Sequence, residues 1–122
     1  MQDFLKLQVW HKAHAVGLDV HRMATRMSGR EFAALRGQLQ RSSLSIASTI
    51  AEGAGKVSNA EFARFLDMAL GSASETLSQL ITARDQGLLD PKSFSELTDR
   101  VTEVRRMLFG LIKRVRVSRP TN

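Results

Sequence analysis

The stretch Gln38-Leu39-Gln40-Arg41-Ser42-Ser43-Leu44-Ser45-Ile46-Ala47-Ser48-Thr49-Ile50-Ala51-Glu52-Gly53 decides the fold. At about 100° per residue, Leu39, Ile46 and Ile50 fall in line with Phe32 and Leu35 upstream, forming an apolar helical stripe. Gln38, Arg41, Ser45 and Glu52 recur at steps of three, four and seven on another face, so a polar line runs along the same helix. Such a helix must bury its apolar face against other helices.

Those other helices can be read on both sides. Upstream, Val9, Ala13, Val16, Val20, Met23, Ala24 and Met27 make a stripe over 7–27. A second line, Trp10, His14, Gly17 and His21, runs beside it, and Gly17 predicts a neighbouring helix that approaches closely. The central helix covers 31–52, with Gly53 as the residue after its end, free to turn left-handed. Downstream, Ser58 and Glu61 form a capping box that opens a helix over 58–86. Its apolar residues, from Phe62 to Ile81, span an arc of about 160°, wider than one packing seam needs. Asp90 and Pro91 then supply an N-cap and a first-turn proline for a helix over 90–117. Short connections between four such helices predict an all-α, up-down-up-down antiparallel four-helix bundle, with residues 1–122 forming a single domain.

Composition narrows the chemistry. The chain has no cysteine, so disulfides, thiolate metal sites and cysteine nucleophiles are excluded. It has no stretch near the roughly 18 apolar residues of a membrane span, and the N-terminal Met1-Gln2-Asp3-Phe4-Leu5-Lys6 does not read as a signal peptide. The expected setting is therefore the cytoplasm. His11 and His14 have the i,i+3 spacing of metal ligands but lack a third ligand, and no Glu-x-x-His occurs. Ser42, Ser43 and Ser45 lie mid-helix without a histidine nearby in sequence, and small serines there permit close packing or bond back to the preceding turn. Gly53-Ala54-Gly55-Lys56 lacks the spacing and the preceding strand of a phosphate loop. No active site and no cofactor are expected.

Two constellations remain. Gln38, Arg41, Ser45 and Glu52 form either a ladder to a neighbouring helix or an ordinary solvent face. Ser72, Glu75 and Gln79 on the third helix stand ready as partners, and Gly71 leaves room for another backbone. The second constellation is charge. The net +6 divides into +4 over 1–56, −2 over 57–89 and +4 over 90–122, with no acid after Glu103. Arg105, Arg106, Lys113, Arg114 and Arg116 follow it, with Phe109 among them. Cations around an aromatic can hold phosphate and stack a base, and they can equally rim a subunit contact centred on the ring.

At this point Phe4-Leu5-Lys6-Leu7, Val9-Trp10, Gln38-Leu39, Arg41-Ser42, Ser45-Ile46, Ile50-Ala51-Glu52-Gly53, Glu61-Phe62, Phe65-Leu66 and Gly71-Ser72 with Glu75 follow one another in order. The chain resembles the four-helix-bundle family named from reading frames in intervening sequences of bacterial 23S ribosomal RNA genes. The resemblance spans about residues 4–115, and departs where Thr49 replaces an asparagine and Met27-Ser28-Gly29 replaces a Phe-Pro turn. It implies a pentameric barrel of side-by-side bundles. A group similar in fold, the accessory variability determinants of diversity-generating retroelements, binds a reverse transcriptase and RNA through a basic surface.

The expectation is thus a non-enzymatic homo-oligomeric adaptor, a pentamer, whose basic residues Arg105, Arg106, Lys113, Arg114 and Arg116 contact RNA, DNA or a nucleic-acid enzyme. Trp10, Gln38, Arg41, Ser45, Glu52, Gly71 and Glu75 would serve its interfaces or polar network. The alternative is a protein-only assembly scaffold without nucleic-acid binding.

Overall fold

The computed structural model describes residues 1–117, which fold as four helices: α1 (Gln8–Arg26), α2 (Ala33–Ala54), α3 (Asn59–Asp85) and α4 (Pro91–Val117). Each packs against its two neighbours in the order α1, α2, α3, α4 and back to α1, while the backbones of the diagonal pairs stay farther apart than 8 Å. This is the expected up-down bundle, and the 27-residue helices α3 and α4 reach about 40 Å. Leu39, Ile46 and Ile50 of the central stripe are fully enclosed, in one core with Val16, Val20, Leu66, Leu80, Val101, Val104 and Leu108.

The helix ends follow local chemistry. Asp3 caps a 3₁₀ turn over Phe4–Lys6 by accepting from the Leu5 amide at 3.0 Å, an element the sequence reading did not contain. The Gln2 amide donates to the Ala54 carbonyl at 2.7 Å and ties this turn to the end of α2. A second 3₁₀ turn, Arg30–Phe32, precedes α2, so the α-helix starts at Ala33 rather than at 31. Gly29 turns the chain at φ 110°, and Arg36 closes the corner by donating to the Met27 carbonyl at 2.8 Å. Ser58 accepts from the Glu61 amide at 3.1 Å, as its spacing predicted. At the other end of α3, Gly87 (φ 76°) allows Leu88 N–H to reach the Ala83 carbonyl and Gly87 N–H the Arg84 carbonyl, a Schellman motif. Asp90 then caps α4 through the Ser93 amide at 3.0 Å.

Glycines set the closeness of two seams. A Cβ at Gly17 would lie 2.5 Å from the Ser43 carbonyl oxygen, so the approach expected there is that of α2. Gly53 does not turn left-handed as expected. It lies inside α2, where a Cβ would meet the Phe65 Cβ at 2.6 Å, and its role is to admit α3. Gly71, expected to admit another backbone, has nothing within 4 Å in this chain. The wide arc of α3 is also largely used internally. Phe65 packs beside Gly53 and Thr76 bonds Ser42 of α2, Leu66 and Leu80 are fully buried, and Leu70 and Leu77 are half-buried against the core, leaving Ile81 42% exposed. A corner helix serves two seams at once, which needs a wider apolar arc than one seam does.

Candidate nucleic-acid interface and polar seam

The α2–α3 seam is polar along its buried edge. Ser42 Oγ donates to Gln79 Oε1 at 2.6 Å, and Ser45 Oγ donates to Ser72 Oγ at 2.7 Å. The single proton of Thr76 Oγ1 goes either to Ser42 Oγ at 3.0 Å or to the Ser72 carbonyl at 2.8 Å. Ser42, Thr76 and Gln79 are buried, and each is satisfied by another. Such a set fixes which turn of α2 meets which turn of α3, because a slipped register would strand hydroxyls in the core.

Of the expected polar line, only Ser45 takes part in this ladder. Gln38, Arg41 and Glu52 are exposed in the chain. Gln38, Arg41 and Glu75 stand around a depression of about 180 Å³ whose floor is Ser42 and Ser45. Four of the seven residues expected at an interface are thus brought together, and Glu52, Trp10 and Gly71 lie apart. Trp10 stacks on His14 with centroids 4.8 Å apart and meets Phe4 edge-on at 4.9 Å. His11 Nε2 donates to the Leu5 carbonyl at 2.7 Å, so His11 and His14 are engaged with rings and backbone. Among the described residues no three His, Asp or Glu side chains come together as a metal ligand set.

The basic residues of α4 divide among three directions. Arg116 pairs with Asp67 of α3. Arg105 stands on the same side, half-buried, with its Nε enclosed and without a hydrogen-bond partner among the described residues. Arg114 lies over Gly110 and shares with Arg106 and Lys6 a depression of about 560 Å³ between α1 and α4. The outward side carries Arg106, Phe109 and Lys113, and the Phe109 ring is 52% exposed between the two cations. That exposure is unusual for phenylalanine on a helix whose stripe from Leu97 to Val115 is buried.

The sequence reading did not contain Lys6 as part of this surface. It arrives from the other end of the chain, carried there by the return of α4 alongside α1, and no local signal marks it. Thr76 was also missed. Its offset of four from Ser72 and three from Gln79 was the available signal.

Against known proteins, a family model described as "23S rRNA-intervening sequence protein" matches residues 5–110. The chain belongs to that family. A crystal structure from Bacteroides thetaiotaomicron, of a protein of unknown function from the S23 ribosomal protein family, superposes with a TM-score of 0.81. The two are 23% identical, and the match covers 86% of this chain and 98% of that one. At that identity the likeness establishes the shared fold. No curated protein matches the chain. Among the described residues, no helix is long and apolar enough to cross a membrane.

Proposed function

We propose that this member of the 23S rRNA-intervening sequence family is a binding protein rather than an enzyme, and that it self-associates, as a pentamer, and contacts nucleic acid through the outward face of α4. The observation that carries the reading is the Phe109 ring, 52% exposed and flanked three residues before by Arg106 and four after by Lys113. The spacing puts all three on one strip of helix. The cations supply phosphate contacts of low sequence preference, and the ring supplies a face on which one base can stack. Repetition of the strip in each subunit would join weak contacts into a stronger one. Exposed Leu44, Met68 and Ile81 supply apolar area for subunit contacts.

The test is fluorescence anisotropy with short single- and double-stranded RNA and DNA, beside light scattering. Wild type should bind and should scatter as several times 13.6 kDa. Arg106→Glu with Lys113→Glu should abolish binding without changing helicity or mass. Phe109→Ala should weaken single strands more than duplexes, since only unpaired bases can stack on it.

The second reading is the protein-only scaffold. Its support is the pairing of Arg116 with Asp67 and the half-burial of Arg105, which withdraw two cations from the open face. An oligomer that binds none of the four oligonucleotides at low salt would establish it over the first.

A further inference from the structure

The seam between α1 and α4 is the loosest of the four. Its residues explain why. Gly17 and Gly53 let α1 and α3 close onto α2, whereas Met23, Leu97, Met107 and Leu111 border the α1–α4 seam, and helix separation follows side-chain size. Three depressions of about 560, 270 and 480 Å³ succeed one another along it. Glu103 borders the first and second, and Arg100 the second and third, so they form one groove. From the level of Lys6 to that of Arg26 it runs about 30 Å at helical rise.

Charge is distributed unevenly along this groove. In its middle the carboxylates are already neutralised: Glu103 by Lys12 at 3.3 Å, and Asp19 by Arg100 at 2.8 Å and Arg22 at 3.2 Å. At the ends, Lys6 and Arg106 on one side and Arg26 on the other make no ion pair among the described residues. The floor is aliphatic toward the ends, with half-buried Leu7, Met107 and Leu111 at one and Met23 at the other, while His11, Lys12, Ala15, Arg100 and Glu103 line its middle.

We propose that this groove docks an acidic amphipathic helix of a partner protein, about five turns long, with its acids concentrated toward both ends. A helix satisfies its own backbone and lays an apolar stripe on the floor, as a third helix packing between two. An extended peptide would leave its N–H and C=O groups unpaired over aliphatic side chains, since no strand edge lies among the described residues to pair them. A nucleic-acid strand is disfavoured because the apolar ends of the groove offer leucine and methionine in place of aromatic rings for bases to stack on. Of the outward face of α4 only Arg106 also borders the groove; Phe109 and Lys113 are not part of it, so Lys113→Glu separates the two surfaces.

The test uses a labelled peptide of about 21 residues, with leucine at helical i, i+3, i+7 spacing and glutamate clustered at both ends. Fluorescence anisotropy with the full chain should show saturable binding. Arg26→Glu with Arg106→Glu should weaken it about tenfold or more, each reversal replacing an attraction with a repulsion. Lys113→Glu should change it less than about twofold, and a scrambled peptide of equal charge should bind at least about tenfold more weakly. Circular dichroism confirms that the variants keep their helices. Equal binding of the scrambled peptide, no effect of the double variant, or no binding below about 100 µM would each overturn the proposal. So would a groove that takes a single-stranded oligonucleotide in place of the peptide. A double variant that becomes monomeric while wild type excludes the peptide would overturn it too, by assigning the groove to a second copy of the chain.

Discussion

Alanine at Gly17 places a methyl carbon 2.5 Å from the Ser43 carbonyl oxygen. An ordinary C···O contact needs about 3.3 Å, so α1 and α2 must separate by about 0.8 Å or tilt. The obstacle is backbone and cannot swing aside as a side-chain tip can. Overpacking of this kind costs about 1–3 kcal/mol, and its upper half applies here. Alanine returns about 1 kcal/mol through better helix propensity, leaving a net loss of about 1–2 kcal/mol. Gly71 provides the matched control, because a Cβ there meets nothing within 4 Å. Gly71→Ala should therefore gain about 1 kcal/mol. The two variants should differ by about 2–3 kcal/mol in urea denaturation followed by circular dichroism, or by about 10 °C in Tm. A Gly17→Ala protein as stable as Gly71→Ala would refute the close α1–α2 approach. A Gly71→Ala protein that loses stability with dilution would show that a second copy sits on Gly71.

Gln79→Leu removes the acceptor of Ser42 and unsettles Thr76, which should lower stability by about 1–3 kcal/mol in urea denaturation; a neutral result would mean that the seam is not closed to water. Glu52 is exposed in the chain, so Glu52→Ala should fall within about 0.5 kcal/mol of wild type. A sharp loss of Tm or of oligomer mass would instead place Glu52 at a subunit contact. The carboxyl of Asp90 is held below its ordinary value of 3.8, first by the Ser93 hydroxyl and then by the Ser93 amide. A lowered folded-state pKa gives stability that is fully present above the unfolded value and lost as pH falls through the folded one. Tm should therefore fall less steeply in Asp90→Asn than in wild type as pH drops from about 5 to about 2, since asparagine caps without titrating; identical slopes would deny Asp90 that share of the acid loss.

Much of the bundle was legible because its signals are local and periodic. The stripe of Leu39, Ile46 and Ile50, the Ser58 cap and the Asp90-Pro91 start each depend on residues within one or two turns, and the fold places all of them as read. What could not be read was the identity of neighbours. Gly53 has the look of a helix terminator, and only the position of Phe65 on α3 shows that it is a contact point. Likewise, the arc of α3 looks excessive until two seams are seen to share it. For the candidate surface, the sequence grouped Phe109 with the cations that follow Glu103, but the pairing of Arg116 with Asp67 and the arrival of Lys6 depend on tertiary closure.

The central claim, that α4 presents a surface for phosphate and base, is tested most directly by the salt dependence of binding to single-stranded RNA. Each phosphate neutralised on a single strand contributes about −0.7 to the slope of log K against log salt. With Arg106 and Lys113 on each subunit, and several subunits engaged, the slope should be steeper than about −2 and should fall by about 1.4 for each subunit's pair removed. A flat dependence, or no binding at low salt, would contradict the account.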